Sequence, residues 1–231
     1  MCTRFVCNGE DTITGFNFDI DLSVWTHQVV KEKDKFFIGI RMPDHQYHSF
    51  HGVNKNGNVG TLLYVNGNER GAYCPDQKSY TISRLTETFI QGHISLDDAI
   101  HIVETEKIVY APDATMQAML SDKNGRVLII EPGIGYRIEE KKYSLITNYS
   151  VISPETTRPY IVPGDDRYER AKQWLDRQQG EVTVKNALDL LESVKQEGIW
   201  ATRVSFVYSV KENKVYYVLG CDFERVREYG F

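Results

Sequence analysis

The chain has 231 residues, a formal net charge of −5, 41% hydrophobic and 26% charged residues, values ordinary for a single globular domain spanning 1–231. The acidic balance and the short, mixed Lys/Arg runs (VVKEKDK, IEEKKY) exclude a nucleic-acid surface, which needs a basic patch. No stretch reaches the roughly 20 apolar residues that span a bilayer, and MCTRF lacks the charged and apolar regions of a secretory signal, so the expected location is the cytoplasm.

TRFVCN and TITGFNFD read as a strand pair joined by Asn8-Gly9-Glu10-Asp11. KFFIGIRM and VGTLLYVN are further strands, the second preceded by the turn Lys55 to Asn58. SRLTETFIQG and SLDDAIHIVETE read as helices, with Ser95 as N-cap and Asp97 and Asp98 in the first turn. A four-strand meander follows: AMLSD, RVLIIEP, GYRIEE and YSLITN. DRYERAKQWLDRQ and TVKNALDLLESVKQ are helices; Ala187, Leu188, Leu191 and Val194 mark the buried face of the second. TRVSFVYSV and KVYYVLGCDF close the chain as a hairpin. This order predicts an α+β fold, two stacked sheets covered by helices.

Four cysteines, Cys2, Cys7, Cys74 and Cys221, lack CxxC spacing and are expected as free thiols. Cys2 stands apart because it follows the initiator methionine. Once Met1 is removed it carries a thiol of ordinary pKa about 8.5 and an α-amine of about 7.7–8.0. Nucleophile and general base then share one residue.

The segments MCTRF, GFNFD, HGVNKNGNVG, LSDKNGRVLIIE, LITNYS and DDRYERA occur in this order. Together they resemble the choloylglycine hydrolase family, which includes bile salt hydrolases and penicillin V acylases. The resemblance runs from Cys2 to about Ala171 and implies an αββα N-terminal-nucleophile (Ntn) hydrolase that cleaves linear amides without a cofactor. It implies Cys2 as nucleophile and Asp19 as the carboxylate that holds its amino group. Tyr64 would lend a backbone N–H to an oxyanion hole, with Asn148 supplying the second donor. The family arginine falls on Arg167, with Arg170 one helical turn away left open.

One position departs from the pattern: Phe16 stands where the family carries an arginine beside the nucleophile. Arg4 is the expected substitute, since alternation puts it on the Cys2 face. Phe16 and Tyr47 are expected, with Tyr64, around a pocket for an apolar acyl chain. The implied partner is a small N-acyl amide. A homo-oligomer stays open, as do an acyltransferase and an inactive ligand-binding homologue that keeps the pocket. His45, His48 and His51 form a separate constellation; on a helix they would share a metal-binding face, whereas on a strand His48 points away.

Overall fold

The computed structural model describes residues 2–75 and 78–231. The first strands are β1 (Thr3–Asn8), β2 (Thr12–Asp19), β3 (His27–Glu32), β4 (Lys35–Arg41), β5 (Tyr47–Asn54) and β6 (Val59–Tyr64). A two-residue parallel pair, β7 (Tyr80–Thr81) with β8 (Ile108–Val109), brackets helices α1 (Ile82–Ile90) and α2 (Leu96–Thr105). Then come β9 (Met116–Ser121), β10 (Val127–Glu131), β11 (Gly135–Glu139) and β12 (Tyr143–Ile146). Helices α3 (Arg167–Arg177) and α4 (Val184–Ser193) precede β13 (Thr202–Ser209), β14 (Lys214–Leu219) and β15 (Arg227–Gly230).

Two antiparallel sheets result, ordered β12-β1-β2-β13-β14-β15 and β11-β10-β9-β6-β5-β4-β3. Strand alternation sorts their side chains into three buried layers. Along β1 and β2, Cys2, Val6, Phe16 and Phe18 face the other sheet and meet Phe36, Ile38 and Met119. Phe5, Cys7 and Ile13 face the opposite way and pack on Ala171, Leu175, Leu188 and Leu191 of α3 and α4. Helices α1 and α2 cover the outer face of the second sheet through Leu85, Phe89 and Ala99. Three apolar layers between four structural layers make an αββα sandwich, as expected.

The expected N-cap at Ser95 is built as the sequence reads, and α4 carries a cap of the same kind that was not anticipated. Ser95 and Asp98 form a capping box, and so do Thr183 and Asn186. Gly15 serves packing: a Cβ there would fall inside the Phe5 ring, which lies across β2. Gly15→Ala therefore overpacks the layer beneath α3 and α4 and should lower the urea-unfolding free energy by about 1–3 kcal/mol.

The sheet pairing corrects the expected meander. Only β9, β10 and β11 form it; β12 crosses to the other sheet and pairs with β1, Arg4 opposite Ile146. Ser144, Leu145 and Ile146 are buried, whereas β11 is a largely exposed edge, so β12 needs the better-covered position. Five strands went unpredicted, two of them the two-residue strands β7 and β8. Strands β3 and β15 are half-exposed edges. The polar residues of β5 disguise a largely buried strand held between its chain neighbours β4 and β6.

Candidate active site

Cys2 immediately precedes the first strand, at the inner face of the six-stranded sheet, and is only 5% exposed. Its backbone nitrogen donates to Asn148 Oδ1 at 2.7 Å, and its sulfur lies 3.9 Å from the Asp19 carbonyl oxygen. Met1, whose removal is expected, lies outside the described residues. Burial pushes the Cys2 thiol up to about 11, so as a thiol it is inert until a nearby base takes its proton.

Arg167 ties the surrounding groups together. Its Nη1 donates to the Cys2 carbonyl at 3.1 Å and to Asp19 Oδ2 at 3.2 Å. Its Nη2 donates to Asn148 Oδ1 at 3.0 Å and to Asp165 Oδ2 at 2.6 Å, while Nε reaches Asp165 Oδ1 at 2.8 Å. The planar fork of a guanidinium suits several fixed acceptors in a way a lysine does not. Arg170, one turn on, bonds Asp166 and the Ser193 carbonyl at the surface, so of the two arginines only Arg167 joins the cluster.

Burial pushes the Asp19 carboxyl up to about 6, against the opposing pull of Arg167 and of Thr202, whose hydroxyl donates at 2.6 Å. Burial also pushes Asp165 upward, but its bonds from Arg167 outweigh this and hold it below the usual carboxylate range. Two carboxylates thus face one guanidinium beside Cys2. Such a site favours a further positive charge, the form a protonated α-amine would supply.

Asn148 is clamped from both sides: Gln117 of β9 donates to the carbonyls of Thr147 at 2.7 Å and Tyr149 at 3.2 Å. With Oδ1 held by Cys2 and Arg167, the Asn148 Nδ2 donates to the Tyr64 carbonyl at 2.7 Å. Val65 donates to Thr115 on the β9 side at 3.1 Å, so alternation turns the Tyr64 N–H the other way. The β5–β6 ladder has by then ended, at His51 opposite Thr61.

Cys2, Asp19 and Tyr64 line a cavity of about 1040 Å³. Phe18, Trp25, Ile40, Met42 and Trp200 supply much of its apolar wall. Two expected wall residues are absent from it. Phe16 is fully buried between the sheets, stacked on His51 at a centroid distance of 5.3 Å, and Tyr47 lies against Gly39 on β4. Arg4 does sit directly across from Phe16 in the β1–β2 register. Its guanidinium, however, donates to the Phe5 carbonyl and to Ser121 Oγ of the opposite sheet at 2.9 Å, not to Cys2 or Asp19. The substitution keeps a cation in the neighbourhood but aims it elsewhere.

The histidine constellation is dispersed by the strand it occupies. His48 bonds Asp44 and Glu87 at 2.8 and 3.1 Å, while His51 faces inward and accepts from the Leu62 N–H. His45 sits in the preceding turn with φ of 64°. Among the described residues no group of three His, Cys, Asp or Glu side chains could hold a metal ion. No helix among them is long and apolar enough to cross a membrane. Asp165 and Thr202 were not anticipated. Asp165 is visible as the first residue of DDRYER; Thr202 gives no local signal, because only the β13–β2 register sets it against Asp19.

The layer order is that of the Ntn-hydrolase fold. The chain is similar to the cysteine-to-alanine mutant of conjugated bile acid hydrolase from Clostridium perfringens (TM-score 0.69, 12% identity, covering 100% of this chain and 92% of that one). It is also similar to penicillin V acylase from Agrobacterium tumefaciens (TM-score 0.64, 17% identity, 95% and 83% covered). A third similar structure is the Caenorhabditis elegans ortholog of N-acylethanolamine-hydrolyzing acid amidase (TM-score 0.60, 14% identity, 90% and 92% covered). No protein-family model and no curated protein sequence matches the chain.

Proposed function

We propose that the protein is a cysteine Ntn-hydrolase that cleaves the C–N bond of linear N-acyl amides through a thioester on Cys2. The observation that carries this reading is the convergence of Cys2, Asp19, Asn148 and Arg167, from four separated segments, into one buried hydrogen-bonded cluster at the cavity. The names of the similar structures support it, since each is a hydrolase or acylase of amides.

After Met1 is removed, the α-amine takes the Cys2 proton and the thiolate attacks the amide carbonyl carbon. The carbonyl π electrons move onto oxygen, which the Tyr64 N–H and the second Asn148 N–H hold. Collapse breaks the C–N bond; the amine leaves with the proton returned from the α-ammonium, and a thioester remains. Water, deprotonated by the same α-amine, hydrolyses the thioester, releases the acid and restores the thiol. Asp19 and Arg167 hold the cysteine backbone and amine in place. This chemistry needs no cofactor, and the free thiols Cys2, Cys7, Cys74 and Cys221 suit a reducing cytoplasm.

Intact mass before and after exposure to a panel of N-acyl amides tests the reading. The expected result is a protein one methionine lighter that gains the mass of the acyl group, with no gain in Cys2→Ala. A mass-processed protein that forms no adduct with any amide sinks the hydrolase reading. It favours the inactive homologue, for which the loss of the arginine at Phe16 is the supporting observation. An adduct resolved faster by an added amine than by water favours the acyltransferase.

The pH dependence has a worked sign. With a folded value of about 6 against an ordinary 3.8, Asp19 binds its proton more tightly when folded. Its contribution to stability is present below pH about 4 and is lost as pH rises through about 6. Asp165, held below the ordinary range, contributes the opposite way, and its stabilisation is lost only in stronger acid. Activity needs the ionised Asp19, so kcat/KM should climb through pH about 6 while the urea midpoint does not climb with it. Asp19→Asn should abolish that limb of the profile; an unchanged limb assigns it to another group.

A further inference from the structure

The cavity spans one end of the seven-stranded sheet, and its two sides differ in chemistry. Tyr64 ends β6 and pairs with Met116, which begins β9. Two strand steps away, through β5 to β4, lie Ile40 and Met42, with Trp25 just ahead of β3 one step further and Trp200 from the other sheet's loop. At about 4.8 Å per step the two sides stand roughly 10 Å or more apart. The β4–β3 side is apolar. The β6–β9 side is built from the loops 65–73 and 110–115, which are bonded to each other. Tyr110 N–H donates to the Gly71 carbonyl at 2.8 Å, Asn68 Nδ2 to the Tyr110 hydroxyl at 2.8 Å, and Thr115 Oγ1 to the Val65 carbonyl at 2.7 Å. These loops bring Glu69, Asp113, Tyr73 and Tyr110 to the cavity, beside Tyr64 at the end of β6.

No lysine or arginine is among the described residues lining it. Asp19, the remaining carboxylate of the wall, is already bonded by Arg167 and Thr202. Glu69 and Asp113 are both exposed to the cavity side and solvent. The nucleophile stands toward this side, because the Cys2–Asn148–Tyr64 chain of hydrogen bonds anchors it to β6. An acyl chain reaching from Cys2 into the apolar β4–β3 side leaves the amine half against the two loops.

We infer that the amine half of the substrate is cationic, an N-acylated diamine or polyamine, and that Glu69 and Asp113 are its specificity residues. The inference rests on the hydrolase reading above. Two carboxylates in a cleft without basic side chains attract an ammonium and repel a carboxylate or sulfonate. The tyrosine faces add cation–π attraction. The charge on the leaving amine, not the acyl group, then separates good substrates from poor ones.

The test fixes the acyl group as decanoyl and varies the amine: diaminobutane, ethanolamine and glycine. At low salt and neutral pH, kcat/KM for the diaminobutane amide should exceed that for the glycine amide by about tenfold or more, and high salt should narrow the gap. The ratio does not depend on the fraction of protein folded, so it remains readable in variants. In the Glu69→Gln, Asp113→Asn double variant it should fall to within about twofold of unity. A flat or reversed series, with the ethanolamine amide still hydrolysed, overturns the charge selection alone. No hydrolysis of any of the three, and no acyl adduct on Cys2, overturns the hydrolase reading and this inference with it.

Discussion

Arg167→Met is expected to lower the unfolding free energy by about 3–5 kcal/mol, read from urea denaturation, and to abolish acyl-enzyme formation. The guanidinium is 2% exposed and lies between two carboxylates that are themselves nearly inaccessible. Removing it leaves Asp19 and Asp165 buried without their cation, and the carbonyl of Cys2 and the Asn148 oxygen each lose a donor. Asp19, already at about 6 with Arg167 in place, would then rise further and take up a proton at neutral pH. Arg167→Lys keeps the charge but not the fork, so part of the stability and little of the activity should return. Arg170→Met is the control, an exposed ion pair whose loss should cost less than about 1 kcal/mol. Equal losses at the two positions would remove Arg167 from the centre of the site.

Asn148→Ala is expected to lower kcat by about 10²–10³. The substitution removes two things at once: the acceptor for Cys2 N and Arg167, and the amide donor beside the Tyr64 carbonyl. Asn148→Asp separates them, because a carboxylate still accepts from Cys2 and Arg167 but offers no N–H. If the donor acts on the developing oxyanion, Asn148→Asp should fall as far as Asn148→Ala with KM little changed. Turnover within about tenfold of the parent would reduce Asn148 to a residue that positions Cys2 and nothing more.

The layered fold and most of the cluster were legible in the sequence because their signals are local. Ser95 caps its helix together with Asp98 three residues on, and Thr12 to Asp19 alternates in step with its two buried faces. Cys2, Asp19, Asn148 and Arg167 were legible for another reason: each sits inside a short segment whose letters resemble a known pattern. What stayed hidden depends on register. Whether Arg167 or Arg170 turns inward depends on how α3 lies on β12, and Thr202 meets Asp19 only when β13 pairs with β2. Phe16 and Tyr47 were expected in the cavity wall from their chemistry, but packing decided otherwise. Phe16 fills the gap between the sheets against Phe206 and His51, so its distance from the ligand space follows from the core and not from the family pattern.

The crossing of β12 to β1 also sets a timetable. The strand that starts at Thr3 is completed by residues 143–146, so the first strand cannot take its final place until that far segment has been made. Afterwards Cys2 is nearly sealed, its backbone held by Asn148 and by Arg167. At synthesis speeds of about 5–20 residues per second, the interval before β12 emerges is on the order of ten seconds. That interval is the window in which the excision of Met1 that the proposed chemistry requires would meet an unfolded N-terminus. An extension fused to the N-terminus would leave a folded protein without the free α-amine that the proposed chemistry uses as its base.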